Sequence, residues 1–137
     1  MDKYEWDVIE ARRKDGLILT TLWKAENDKP IDIHWNKDEV EGTCYPEYIP
    51  SGKSWRTHEI DSRPVPHFTT DRNACALVLD KIEKMGDDRI FRFLDEFRKW
   101  CDITVAGDDL RQAAWFGMRA LPNLICYAAV KAVEEVP

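Results

Sequence analysis

Apolar residues recur at helical spacing in two blocks of this chain, residues 67–86 and 121–136, and each block carries its own start signal. In the first, Cys75, Val78, Leu79, Ile82 and Met85 follow at three- and four-residue steps and so share one face of a helix. Thr69 or Thr70 is placed to cap its N-terminus. Asp71 sets negative charge at the positive end of the helix dipole, and Gly86 ends the helix as a left-handed cap. In the second block Pro122 suits a first helical turn, so a new helix is predicted from Pro122 to about Glu135. Leu121, Ile125, Ala128, Ala129, Ala132 and Val136 lie on one side of it, and the alanines keep that side flat for close approach of a sheet or helix. Residues 110–120, which follow the acids Asp108 and Asp109, are rich in helix formers, although Gly117 weakens them.

Two other segments read two ways. At the N-terminus, Asp2 and Glu5 have capping-box spacing, and Gly16 is placed to close a helix over residues 3–14. The rival is a hairpin turning at Asp15-Gly16. In both readings residues 17–23, LILTTLW, form a strand, because they are β-branched and aromatic. The preferred reading is helix, then strand. Over residues 88–107, Ile90, Phe93, Leu94, Phe97 and Trp100 fit a helical stripe, while Cys101, Ile103 and Val105 alternate with Asp102 and Thr104 as in a strand. A strand is assigned at about 100–106.

Residues 27–68 are the least regular third. Pro30, Pro46, Pro50, Pro64 and Pro66 punctuate them and exclude long helices, leaving short extended pieces at 31–35 and 55–60. Trp35, Tyr45, Tyr48 and Trp55 are interleaved with these prolines. Such aromatics anchor interfaces, where a few residues supply most of the binding energy, or they fold back as a lid over a core.

The run PHFTTDRNACALVLDKIEKMG, Pro66 to Gly86, places an aromatic and Thr-Thr-Asp ahead of a helix with an Ala-rich start. The run ALPNLICYAAVKAV, Ala120 to Val133, combines a proline, an Ile-Cys pair and small residues. Together they resemble the phage ABA sandwich domain, a family of small phage and prophage proteins. The resemblance covers about residues 64–136 and leaves the Pro- and Trp-rich segment 24–63 outside it. It implies an α/β/α sandwich and a phage or prophage origin. It also tips the segment RIFRFLDEF, ahead of residue 100, toward a hairpin partner for the strand. No catalytic residue carries over, because the family has no agreed site.

At 137 residues the chain fits one domain, 1–137, with a core to which several of its six tryptophans should contribute. A net charge of −6 argues against direct nucleic-acid binding, which needs a surplus of Lys and Arg, and permits a partner with a basic surface. No apolar run is long enough to span a bilayer and no signal-peptide core opens the chain, so a cytoplasmic protein is expected, in the host cell if phage-encoded. Cys44, Cys75, Cys101 and Cys126 share no CxxC unit and read as reduced thiols acting as small hydrophobes.

Three constellations suggest chemistry. Gly52-Lys53-Ser54 matches the end of a P-loop, but Glu47 stands where that loop needs its first glycine. Cys44, His58, His67 and Cys75 are chemically suitable zinc ligands, yet their spacing fits no finger or knuckle. Cys44 with His34 or His58 supplies a nucleophile and a base by residue type alone. No cofactor or metal is expected. The expected fold is α+β, a small, mostly antiparallel sheet between helices. The expected function is non-enzymatic: a phage accessory protein binding a host or viral macromolecule, with a protein partner, and interference with host defence as one version. The alternative is a small hydrolase or nucleotide-handling enzyme using the His and Cys residues of the central segment.

Overall fold

The first helix, α1 (Lys3–Asp7), begins where the sequence places its cap: the Asp2 carboxylate accepts from the Glu5 N–H at 2.8 Å. In this computed structural model of the protein, residues 1–26, 28–37, 44–51, 62–104 and 110–134 are described, with 101–104 and 110–121 as backbone alone. The chain forms two compact units, one of Met1–Val8 with His67–Pro137 and one of Ile9–Pro66. Among the described residues there are five helices and one open, three-stranded antiparallel sheet, so the class is α+β as expected.

The first unit is helical. After α1 it contains α3 (Arg72–Lys84), α4 (Asp87–Thr104) and α5 (Leu110–Val133). Asp71 itself is the N-cap of α3, accepting from the Asn73 N–H at 2.9 Å, rather than Thr69 or Thr70. Gly86, at φ +102°, takes the left-handed conformation expected just past the helix end. Cys75, Val78 and Ile82 are buried, as their spacing predicts. Leu79 is not: it is 40% exposed, and Met85 is also exposed. The buried face is therefore narrower than the apolar stripe, because Leu79 is rotated about 100° from Val78 on a 3.6-residue helix.

The strand expected at 100–106 does not form over residues 100–104, and RIFRFLDEF is not its hairpin partner; both lie within α4. The helical stripe prevails because burial rewards it. Phe93 is buried, Ile90, Phe97 and Trp100 are half-buried, and α4 packs along α5. Arg89 and Arg92 of α4 donate to the carbonyls of Ala132 and Glu134 at 3.0 and 2.6 Å, satisfying acceptors at the C-terminal end of α5.

Pro122 does not start a helix; it lies inside α5. An interior proline costs about 3 kcal/mol in an isolated helix. Here the following turns are buried on every side, from Leu124 to Val130 and at Ala132. Each large side chain so buried returns about 1.5–3 kcal/mol, which outweighs the lost hydrogen bond. The flat face appears as expected, with Ala128, Ala129 and Ala132 fully buried. No helix among the described residues is long and apolar enough to cross a membrane.

The second unit contains α2 (Ala11–Leu22) and the strands β1 (Ile33–Lys37), β2 (Cys44–Tyr48) and β3 (Arg63–Pro64), in the order β1-β2-β3. The strand expected at 17–23 is thus a correction: residues 17–22 complete α2, with Gly16 inside it, and only Trp23, the C-cap, is extended. Ile18, Leu19 and Leu22 stack on buried Lys14 and Asp15 at helical spacing, and that burial overrides their strand propensity. The extended piece expected at 31–35 overlaps β1, while that at 55–60 lies outside the described residues.

Asp15, which the rival hairpin would place in a turn, is buried within α2. It is fully buried and pairs with Arg12 at 2.8 Å. Arg12 also donates to the carbonyls of Val65 and Pro66 at 2.7 and 3.4 Å, tying α2 to the end of the segment after β3.

Candidate functional site

The antiparallel register determines what the central aromatics can do together. Trp35 pairs with Pro46, Tyr48 with Ile33, and Tyr45 with Asn36. Cross-strand partners share a sheet face and successive residues alternate. Trp35 and Tyr48 therefore share one face with Pro46, and Tyr45 lies on the other. Trp35 and Tyr45 are each 38% exposed and Tyr48 is half-buried. Arg13 of α2 places its guanidinium 5.5 Å from the centroid of Trp35, which marks the helix-facing side. Trp55 lies outside the described residues, so three of the four expected anchors can be placed, and they do not form one patch.

The same register separates the nucleophile from its base. Cys44 pairs with Lys37 and His34 with Glu47, which sets Cys44 and His34 on opposite faces and apart along the hairpin. Glu47 is engaged by the side-chain amide of Asn36. His58 and Gly52-Lys53-Ser54 lie outside the described residues. His67 is exposed, and no group of three or more His, Cys, Asp or Glu suited to a metal ion occurs among the described residues.

Cys75 and Cys126 are buried free thiols, whereas Cys44 is exposed. They donate to the carbonyls of Pro122 at 3.8 Å and Phe68 at 3.4 Å. A hydrogen bond with Cys126 lowers the Cys75 pKa from its ordinary value, against burial, which raises it.

Among the described residues a built concavity lies in the helical unit, one that residue patterns along the chain do not show. It is a groove of about 380 Å³. From α1 and its cap come Asp2, Lys3, Tyr4 and Asp7; α4 supplies Glu96, Lys99 and Trp100; α5 supplies Tyr127 and Lys131. Trp100 and Tyr127 form the floor, edge to face with centroids 6.0 Å apart, and Trp6 lies behind Tyr127 at 5.8 Å. The Trp100 indole N–H donates to Glu96 at 3.1 Å, which orients the ring. Tyr4, 85% exposed, stands at the rim.

The electrostatics of the groove are built around its floor. The Lys3 ammonium sits 5.9 Å from the Trp100 centroid and 5.8 Å from that of Tyr127, and is ion-paired with Asp7. Lys99 lies over Trp100 at 5.3 Å. Lys131 pairs with Glu134 at 2.9 Å, and Glu134 also accepts from the Met1 amino group at 2.8 Å. Burial acts to raise the Glu134 pKa, but those two hydrogen bonds outweigh it and the net shift is downward. Burial, followed by the charges of Glu96, Glu134, Asp2 and Asp7, pushes the Tyr127 phenol up to about 12. The floor is thus aromatic, with lysine ammonium groups over its rings and carboxylates beside them. Two local signals foreshadow it, the i,i+4 pairs Lys3–Asp7 and Glu96–Trp100, but nothing local in the sequence brings them together.

Comparison with protein-family models, with curated proteins and with solved structures returned no match.

Proposed function

We infer that this chain is a non-enzymatic binding protein that engages a macromolecular partner, a protein with a basic surface, through the groove of its helical unit. The observation that carries this reading is a groove whose aromatic floor, Trp100 and Tyr127, is lined by three carboxylates, Asp2, Asp7 and Glu96, and by three lysines, Lys3, Lys99 and Lys131. Aromatic rings beside carboxylates attract cations and anchor interfaces. A phenol whose pKa is pushed up to about 12 stays protonated near neutrality and is suited to packing and hydrogen bonding rather than to proton transfer there. The net charge of −6 favours encounter with a basic partner and disfavours nucleic acid. The resemblance of residues 64–136 to the phage ABA sandwich domain supports an accessory role in a phage or prophage, in the cytoplasm of the host cell, with a host-defence protein as one target.

The test is capture from cells carrying the phage or prophage with tagged wild type, Tyr4→Ala and Asp7→Lys, each first shown to melt like wild type. Tyr4 is at the rim and Asp7 faces the groove, so a partner held by wild type should be lost by both variants. An anchor loss of about 2 kcal/mol or more is expected. A partner retained by both variants, but lost on Trp35→Ala or Tyr45→Ala, would move the binding surface to the sheet.

A further inference from the structure

The groove already contains a ligand, supplied by the chain itself. The Lys3 ammonium lies within 6 Å of both floor rings and is held by Asp7, the arrangement that recognises an ammonium group in an aromatic cage. The other cations of the groove have their own partners: Lys131 pairs with Glu134, and Lys99 covers Trp100. Lys3 is different in being common to both floor rings. It projects from α1, a helix of five residues, on a side chain with four rotatable bonds. Withdrawing it would leave Asp7 without its ion pair and both rings without the cation they share.

We propose that the groove is a receptor for a lysine side chain of the partner, and that Lys3 is its resident competitor. This rests on the reading of the chain as a binding protein and names the chemistry that the groove selects. An incoming lysine ammonium takes the place of the Lys3 ammonium over Trp100 and Tyr127 and forms the ion pair with Asp7. The displaced Lys3 swings into solvent, where its charge is hydrated. The exchange is isoelectric within the groove, so the neutral Tyr127 and the carboxylates need no change of protonation. The occupied groove binds more weakly than an empty one, by the fraction of molecules in which Lys3 is already displaced. Partner affinity is therefore tunable at Lys3, a residue outside the core.

The experiment is a titration of wild type, Lys3→Met and Lys3→Met/Asp7→Asn with Nα-acetyl-lysine methylamide, followed by the Trp100 indole N–H in nitrogen–proton correlation spectra. Trp100→Phe identifies that signal. Lys3→Met should bind the probe saturably with the Trp100 signal shifting, and about tenfold more tightly than wild type. The double variant should lose most of that gain, and the Nζ-acetylated probe, which lacks the charge, should leave the signal in place. Equal binding by wild type and Lys3→Met, or an equal response to the acetylated probe, overturns the proposal. Tighter binding of the corresponding arginine amide overturns the choice of lysine. If the probes fail while partner capture still depends on Tyr4 and Asp7, the lysine receptor is refuted and the binding surface stands. If capture is independent of the groove, the broader reading falls, whatever the probes show.

Discussion

The indole N–H of Trp6 donates to the side-chain carbonyl of Asn123 at 3.1 Å, joining residues 117 positions apart in the sequence. Trp6 is fully buried and is the only buried side chain of α1, so this contact and its packing on Tyr127 hold the short helix that supplies one wall of the groove. Trp6→Ala should destabilise the protein by about 3–5 kcal/mol, and Asn123→Ala by about 1–3 kcal/mol through the lost indole partner. Urea unfolding of both singles and the double should show a coupling of about 0.5–3 kcal/mol. Strict additivity would mean that the hydrogen bond contributes nothing.

On α3 the structure narrows the core face to Cys75, Val78 and Ile82. Val78→Ala and Ile82→Ala should each cost about 1–4 kcal/mol by cavity formation, whereas Leu79→Ala should stay within about 0.5 kcal/mol. A Leu79→Ala cost equal to that of Ile82→Ala would restore the wider face expected from periodicity.

Arg12, itself half-buried, pairs with the fully buried Asp15, and its guanidinium also serves two carbonyls. Removing either partner should cost about 1.5–3 kcal/mol, because it removes the charge-assisted contact between Arg12 and the fully buried Asp15 carboxylate. Arg12→Lys should not restore stability, since an ammonium lacks the planar fork that reaches Asp15 and Val65 together. Thermal melts of Arg12→Ala, Arg12→Lys and Asp15→Ala rank these outcomes; a lysine variant as stable as wild type contradicts the geometry.

Gly16 offers a direct test of helix against hairpin. A Cβ there would meet only Ile33 side-chain carbons, the nearest at 3.7 Å, an ordinary contact. In a helix interior Gly16→Ala should therefore stabilise by about 0.5–1 kcal/mol. A turn glycine at positive φ would instead lose stability on the same change, so a marked drop in melting temperature would favour the hairpin.

Tyr127 sets an alkaline limit. Its folded pKa, pushed up to about 12, lies above the ordinary phenol value of 10.0. The stability this shift contributes is fully present below pH 10.0 and is lost as pH rises through about 12. The wild-type absorbance titration at 295 nm should contain a late tyrosinate step that Tyr127→Phe removes. The phenylalanine variant should also keep more of its stability between those two pH values. A titration with no late step would contradict the burial of the phenol first, and with it the field of Glu96, Glu134, Asp2 and Asp7.

Local patterns in the sequence determined α3 up to Gly86, though not which residue caps its start, together with the burial of Val78 and Ile82, the Asp2 cap of α1 and the α+β class. Each depends on residues within a turn or two of one another, which is the range over which caps, left-handed glycines and apolar periodicity act. Tertiary structure decided the rest. Residues 17–22 became helix because burial of Ile18 and Leu19 outweighs propensity differences of less than about 1 kcal/mol per ordinary residue, and α5 runs through Pro122 because burial of the turns after Leu124 outweighs the cost of about 3 kcal/mol for an interior proline. The strand register placed Trp35 and Tyr45 on opposite faces, a relation set by which residues pair and not by their types. The groove is the furthest from local reach: Lys3, Trp100 and Tyr127 meet only after α4 and α5 have packed and Trp6 has found Asn123. Its chemistry is written in residue types that look like ordinary surface charge and core aromatics until the chain folds.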